Sequence, residues 1–197
     1  FMEWNTQFGG THNEHGGQVL QTPDGGYILI GDRDFSGDGN QDIWLIRTNS
    51  LGDSLWTKTF GGENIDQGSD IISFENEGFI LLGSTTSYGN GGADIWIIKT
   101  DSNGNEDWTQ TIGGNEYDYC RFIQQTDDGG YIITGNTRSF GNGSSDVWLI
   151  KTDSNGNEEW NQTFGGPYDD FGYSVQQTTD GGYIITGRTN SFGNGVS

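Results

Sequence analysis

Between Cys120 and Phe164 the chain passes through four runs that differ in how polar and apolar positions are arranged. "CRFIQQT" (Cys120 to Thr126) is half polar, and "EEWNQTF" (Glu158 to Phe164) is mostly polar with Trp160 as its main anchor. "YIITGNT" (Tyr131 to Thr137) and "DVWLIKT" (Asp146 to Thr152) are nearly continuous in β-branched and aromatic residues. None carries the 3.6-residue apolar rhythm of a helix, so the pattern predicts four short strands. "DDGG" (Asp127 to Gly130) predicts a tight turn, "DSNGN" (Asp153 to Asn157) a hairpin, and a Gly/Asn/Ser loop separates the two apolar runs. Continuous apolarity predicts that the two middle strands are covered on both faces. The polar fourth run suits an outer strand, and "QQT" suits an inner strand beside a water-filled channel.

This unit recurs. Trp4, Trp56, Trp108 and Trp160 are each 52 residues apart, as are the pairs Gly9-Gly10, Gly61-Gly62, Gly113-Gly114 and Gly165-Gly166. Tyr27, Phe79, Tyr131 and Tyr183 keep the same step, and so do Trp44, Trp96 and Trp148. An ungapped repeat of this length predicts a regular assembly of equivalent sheets. Its length fits an all-β fold, a β-propeller of four-stranded antiparallel blades, better than a β-solenoid with its much shorter rungs. Residues 1–197 read as one domain: an outer strand in 1–10, repeats 11–62, 63–114 and 115–166, and a partial repeat 167–197, about 3.8 repeats in all.

Four closed blades need sixteen strands, and the pattern supplies fifteen, counting a lone outer strand at Glu3 to Phe8. Three outcomes are open: a piece of a larger propeller, which we favour, blades completed by another chain, or incomplete closure of four blades. The strand at Tyr183 to Thr189 would then present an apolar edge. The chain begins with Phe1 and shows no basic-then-apolar leader, as expected of a processed product or a fragment.

The segment "WLIKTDSNGNEEW" resembles the strand, turn and Trp of quinoprotein-like or kelch-like propeller blades. The fuller pattern "W..TFGG..DD.GYSVQQT.DGGYIITG.T.SFGNG..D.WLIKTD..GN" is similar to a repeat common in secreted and cell-surface proteins of bacteria and archaea. The resemblance spans the whole chain and implies a propeller in an extracellular or cell-surface setting. It is nearly silent about activity. It raises a redox cofactor, but no cofactor-gripping feature can be assigned to residues of this sequence, and fold analogy does not carry function.

Composition narrows the function classes. Aromatic residues make up 13% of the chain, against the composition of disorder, and the 35 glycines do not fall every third residue as in collagen. The formal charge of −20 disfavours nucleic acid and anionic membrane surfaces, which need Lys and Arg, and suits cations or basic partners. No apolar run approaches the length of a membrane helix, so no membrane insertion is expected. Cys120, the single cysteine, stands where Gly16, Gly68 and Gly172 stand in the other units and is expected to be inert.

Candidate sites follow the repeat. Glu14, Asp66, Asp118 and Asp170 precede the innermost strands and could form a carboxylate ring for Ca²⁺, or each could anchor its own loop by accepting backbone N–H bonds. "DSNGNE" at Asp101 to Glu106 and Asp153 to Glu158 lacks full EF-hand spacing and reads as turn geometry. Asp42, Asp94 and Asp146 read as loop anchors. The Trp pairs read as inter-blade packing, with sugar stacking as the alternative. Phe35, Tyr88, Phe140 and Phe192, in "SFGNG"-type loops, are expected to face solvent and are the candidate binding residues. His12 and His15 read as solvated loop residues, and Asn142 and Asn161 fit the glycan-acceptor triplet.

No GxSxG elbow and no His/Cys cluster with metal spacing occurs, and the features are spread evenly over the units, so a non-enzyme is expected. The expected function is a non-catalytic extracellular or cell-surface module that binds a protein or carbohydrate through its loops, with no required cofactor and Ca²⁺ as an option. The alternative is a structural subunit or spacer of a larger extracellular assembly, its blades completed by other copies or chains.

Overall fold

The computed structural model describes residues 5–74 and 78–192. They form an all-β chain of fourteen strands. Three sheets have four strands in sequence order: β1 (Glu14–Gln21) to β4 (Ser54–Phe60) by way of β2 (Tyr27–Asp34) and β3 (Gln41–Thr48); β5 (Asp66–Phe74), β6 (Gly78–Thr85), β7 (Asp94–Thr100) and β8 (Glu106–Ile112); and β9 (Asp118–Gln125), β10 (Tyr131–Thr137), β11 (Asp146–Thr152) and β12 (Glu158–Phe164). A fourth sheet pairs β13 (Asp170–Gln177) with β14 (Tyr183–Thr189). All pairings of named strands are antiparallel.

Register repeats as faithfully as sequence. Ile28 faces Arg47, Ile80 faces Lys99 and Ile132 faces Lys151 across the second and third strands. The first strands β1, β5, β9 and β13 each touch the next, whereas β4, β8 and β12 have no comparable contact with one another. Successive sheets therefore stack face to face and fan outward from their first strands.

The stacking buries three apolar layers. Ile28, Ile30, Ile43, Leu45 and Phe60 of the first sheet meet Ile71, Phe79, Leu81, Trp96 and Ile98 of the second. The equivalent layer between the second and third sheets centres on Ile80, Leu82, Ile95, Ile97, Ile123, Ile133, Trp148 and Ile150. Between the third and fourth only Ile132, Leu149 and Val175 are fully enclosed. β6 and β10 are buried along their whole length, as their unbroken apolar runs require, while β8 is mostly exposed. Each buried Ile contributes on the order of 2 kcal/mol, so the two complete layers dominate stability.

Two further devices recur. Gly104, at φ 74°, and Gly156, at φ 77°, lie in the third hairpins of the second and third sheets, directly against Trp56 and Trp108 of the preceding sheet. A Cβ there would come within 2.8 Å of the indole, which is why that turn carries glycine. Across the first hairpins, Arg47 donates to both oxygens of Asp24 at 2.7 and 2.6 Å, and Lys151 pairs with Asp128 at 2.9 Å. The basic head sits beside the carbonyl of Thr48 or Thr152, against Gly26 or Gly130.

One expectation needs correction. Residues 5–8, the described part of the outer strand expected at Glu3 to Phe8, form no strand, and Glu3 and Trp4 lie outside the described residues. A fourth strand in this fold forms beside a third, and the fourth sheet has no third strand among the described residues.

Candidate functional site

One rim of the stack is built by the carboxylates that open the first strands. Asp66 Oδ2 accepts the Gly62 N–H at 2.8 Å and the Ser87 hydroxyl at 2.7 Å. Asp118 does the same with Gly114 and Ser139, at 2.8 and 2.7 Å, and Asp170 with Gly166 and Ser191, at 3.0 and 2.6 Å. Glu14 accepts from Gly10 at 2.8 Å and pairs with Arg33 at 3.3 Å. Asp66 and Asp118 thus tie a Gly-Gly turn to the loop between the second and third strands of their sheets. Asp170 ties one to Ser191 just past β14, and Glu14 ties one to Arg33 in β2. Among the described residues no group of three acidic, His or Cys side chains is placed to hold a metal ion. The geometry shows loop anchors engaged within their own sheets.

A second row lies beneath. Asp94 Oδ2 accepts the Asn90 N–H at 2.7 Å and Asp146 Oδ2 the Asn142 N–H at 2.8 Å. A Cβ on Gly61, Gly113 or Gly165 would collide with Asp42, Asp94 or Asp146, and a Cβ on Gly62 or Gly114 would press on Ser87 or Ser139. A side chain at either glycine of the pair would therefore collide, the first with a second-row carboxylate and the second with a loop serine. Burial raises the pKa of Asp42, and the nearby Asp66 charge adds to it. Asp94 is raised by burial and by Asp118, against the Asn90 hydrogen bond. For Asp170 burial is the largest influence, but the combined hydrogen bonds of Ser191, Thr189 and backbone N–H groups outweigh it and lower the pKa.

The loops so held carry the candidate aromatics. Tyr88 is 46% exposed, Phe140 44% and Phe192 66%. Tyr88 leans on Trp96 at 5.0 Å between ring centroids, Phe140 on Trp148 at 5.2 Å, and Tyr88 Oη donates to the Gly61 carbonyl at 2.9 Å. Thr85, Thr137 and Thr189 hydroxyls accept the N–H groups of the following Ser and aromatic residue, fixing one turn shape three times.

Phe35, 44% exposed, is built differently. It precedes Ser36, whereas Ser87, Ser139 and Ser191 precede their aromatics, so it falls one position out of register. Arg33 stands at the Thr position and lies over Phe35 at 4.7 Å and Trp44 at 4.9 Å. Asp34 accepts the N–H groups of Ser36, Gly37 and Gly39 instead. The four loops are therefore three alike and one variant; the inverted Phe-Ser order is the sequence signal for it.

Beside Tyr88 a groove runs between the end of β4 and the second sheet, lined by Thr59, Gly61, Glu106, Thr109 and Gln110 above the Trp96 ring. An exposed aromatic flanked by a carboxylate, an amide and hydroxyls can stack on an apolar ring face while hydrogen-bonding its polar edge.

The remaining candidates are structural in their contacts. Trp96 and Trp148 sit in the inter-sheet layers. Cys120 is buried, donates to the Gly83 carbonyl at 3.0 Å, and burial pushes its thiol up to about 11. Asp101 and Asp153 accept N–H bonds from Asn103 and Asn105, and from Asn155 and Asn157, within their hairpins. His15 bonds Asp32 at 2.9 Å, and the His12 ring lies against Gly37. Asn161 accepts from the Trp148 indole at 3.1 Å.

No protein-family model matches the chain, and no curated protein is significantly similar to it in sequence.

Proposed function

We propose that this chain is a non-catalytic β-propeller module of a secreted or cell-surface protein that binds a protein or carbohydrate partner through its aromatic loops. The propeller reading is supported by equivalent four-stranded sheets that stack in sequence order and converge on their first strands. The binding reading rests on one observation above others: Tyr88 and Phe140 are each nearly half exposed in loops tied down by buried carboxylates. Exposed rings on a rigid support offer contact area at low entropic cost. The reading requires no cofactor, and Ca²⁺ is optional to it.

A glycan array and a pull-down from surface extracts, each run with the wild-type chain and with Tyr88→Ala/Phe140→Ala, test the proposal. Binding that is lost in the double variant supports it; binding that is unchanged contradicts it. The structural-spacer reading is favoured by a different observation. The outer face of the first sheet and the described fourth sheet leave Val19 and Ile184 more than half exposed.

A further inference from the structure

Three carboxylates act on the Tyr88 loop, and one of them is free to bind. Burial pushes the Tyr88 phenol up, and the negative charges of Asp66, Glu106 and Asp42 add to it in that order. Asp66 is engaged by Gly62 and Ser87, and Asp42 lies pressed against Gly61. Glu106 is exposed at the start of β8, and among the described residues nothing donates to its carboxylate. Its counterpart Glu158 opens β12 in the same way but accepts the Asn161 amide at 2.6 Å. Thr109 stands at the Asn161 position, and its hydroxyl instead accepts the Trp96 indole N–H. Glu106 is therefore left facing solvent.

The groove beside Glu106 encloses about 500 Å³, within the roughly 300–1,000 Å³ of small-ligand clefts. It lies between the first and second sheets, both four-stranded and joined by a closed apolar layer. One wall is the Tyr88 ring, tilted 48° on Trp96 and held by its own hydroxyl on the Gly61 carbonyl. Thr59 and Thr109 line the groove with Glu106. Lys58, next to Thr59 in the chain, gives its ammonium to Asn105 Oδ1 at 2.9 Å and forms no ion pair with Glu106. An anion here would meet the field of Glu106, Asp66 and Asp42, so the groove favours a cation. A Lys side chain offers one ammonium on an aliphatic stem and nothing for the threonine hydroxyls. A sugar ring with a free amine offers an apolar C–H face to Tyr88, hydroxyls to Thr59 and Thr109, and an ammonium to Glu106.

We propose that the groove between the first and second sheets binds an amino sugar with a free amine, its ring stacked on Tyr88 and its ammonium paired with Glu106. The inference rests on the aromatic-loop reading and narrows it to a cationic carbohydrate at one loop. The third sheet does not repeat the site. Phe140 has no hydroxyl to fix its ring as Tyr88 does, and Glu158 is already engaged by Asn161.

The probe is a glucosamine trisaccharide with free amines, titrated into the intact chain by calorimetry beside its fully N-acetylated form. The free-amine form is expected to bind roughly tenfold tighter than the acetylated one, and to weaken as salt is added. Glu106→Gln weakens it roughly tenfold and brings the two forms level. Tyr88→Ala abolishes binding. Tyr88→Phe, the ring that the third sheet uses at this place, retains it, and so does Phe140→Ala. Circular dichroism confirms that these variants, at exposed positions, stay folded. No binding of the free-amine form, equal binding of both forms, indifference to Glu106→Gln, or tighter binding of a lysine tripeptide would overturn the proposal. A neutral glycan or a protein held by the wild-type chain and lost from Tyr88→Ala/Phe140→Ala, with the amino sugar ignored, would sink this inference and leave the aromatic-loop reading standing.

Discussion

Asp128–Gly135 and Asp180–Gly187 are the same eight residues, "DGGYIITG", and the fold uses them in two ways. Both make the same turn and the same strand, paired to the preceding strand in the same register. Yet Ile132 is fully buried and Ile184 is mostly exposed, and Gly130 is crowded where Gly182 is open. Local conformation follows from the octapeptide itself. Burial follows from what is stacked and paired beside it: β9 and β11 with sheets on both faces for the first copy, β13 and the third sheet on one face for the second. The same contrast runs to the opposite end of the stack, where Val19 is 51% exposed while Ile71, Ile123 and Val175, its equivalents, are buried.

The contrast can be broken most forcefully at the isoleucines. Ile132→Ala is expected to cost about 2–5 kcal/mol in urea unfolding because it leaves a cavity in a closed layer. Ile184→Ala should stay within about 1 kcal/mol, since half of that side chain is already in water. Equal losses at the two sites would mean that the fourth sheet is enclosed after all.

The glycines come next. Gly130→Ala drives a methyl into the Thr152 carbonyl and is expected to cost about 1–3 kcal/mol through displaced backbone. Gly182→Ala meets no such obstacle and should be neutral or stabilise by up to about 1 kcal/mol by restricting the unfolded chain. Thermal midpoints of the two variants, measured side by side, sharpen the comparison.

The smallest effect is electrostatic and depends on pH. The Thr126 hydroxyl and then Lys151 hold Asp128 well below the usual carboxylate range, so its contribution is complete above the unfolded value near 4 and fades as pH falls below it. Asp180 is lowered by Thr178 and Gly182 without a cation. Urea midpoints between pH 7 and pH 2 should therefore lose more of their acid dependence in Asp128→Asn than in Asp180→Asn. The reverse order would place a cation at Asp180.

Much of the fold was legible because each unit's apolar runs have one physical solution. "DVWLIKT" and "EEWNQTF" span β11 and β12 with the same bounds that their composition predicts. The repeat also announced that equivalent residues occupy equivalent places, which holds for Ile28, Ile80 and Ile132. It could not announce where the stack is open, because burial of Val19 or Ile184 depends on a neighbour and not on the residue. At the candidate site the anchoring carboxylates and exposed aromatics could be picked from spacing alone. The departure at Phe35 could not be read from a repeat assumed uniform, since one inverted dipeptide redirects the loop to Asp34 and Arg33. The Gly-Gly pair was visible as a landmark, but its cause, a carboxylate pressing on the first glycine and a loop serine on the second, needed coordinates.

Amide hydrogen exchange of the two octapeptide copies, followed residue by residue in one NMR sample, tests the central claim most directly. Ile132, Ile133 and Thr134 should exchange only through global unfolding, while Ile184, Ile185 and Thr186 should exchange orders of magnitude faster through local opening of the fourth sheet. Indistinguishable protection of the two copies would contradict the claim that neighbouring strands, and not the shared sequence, decide which copy is core.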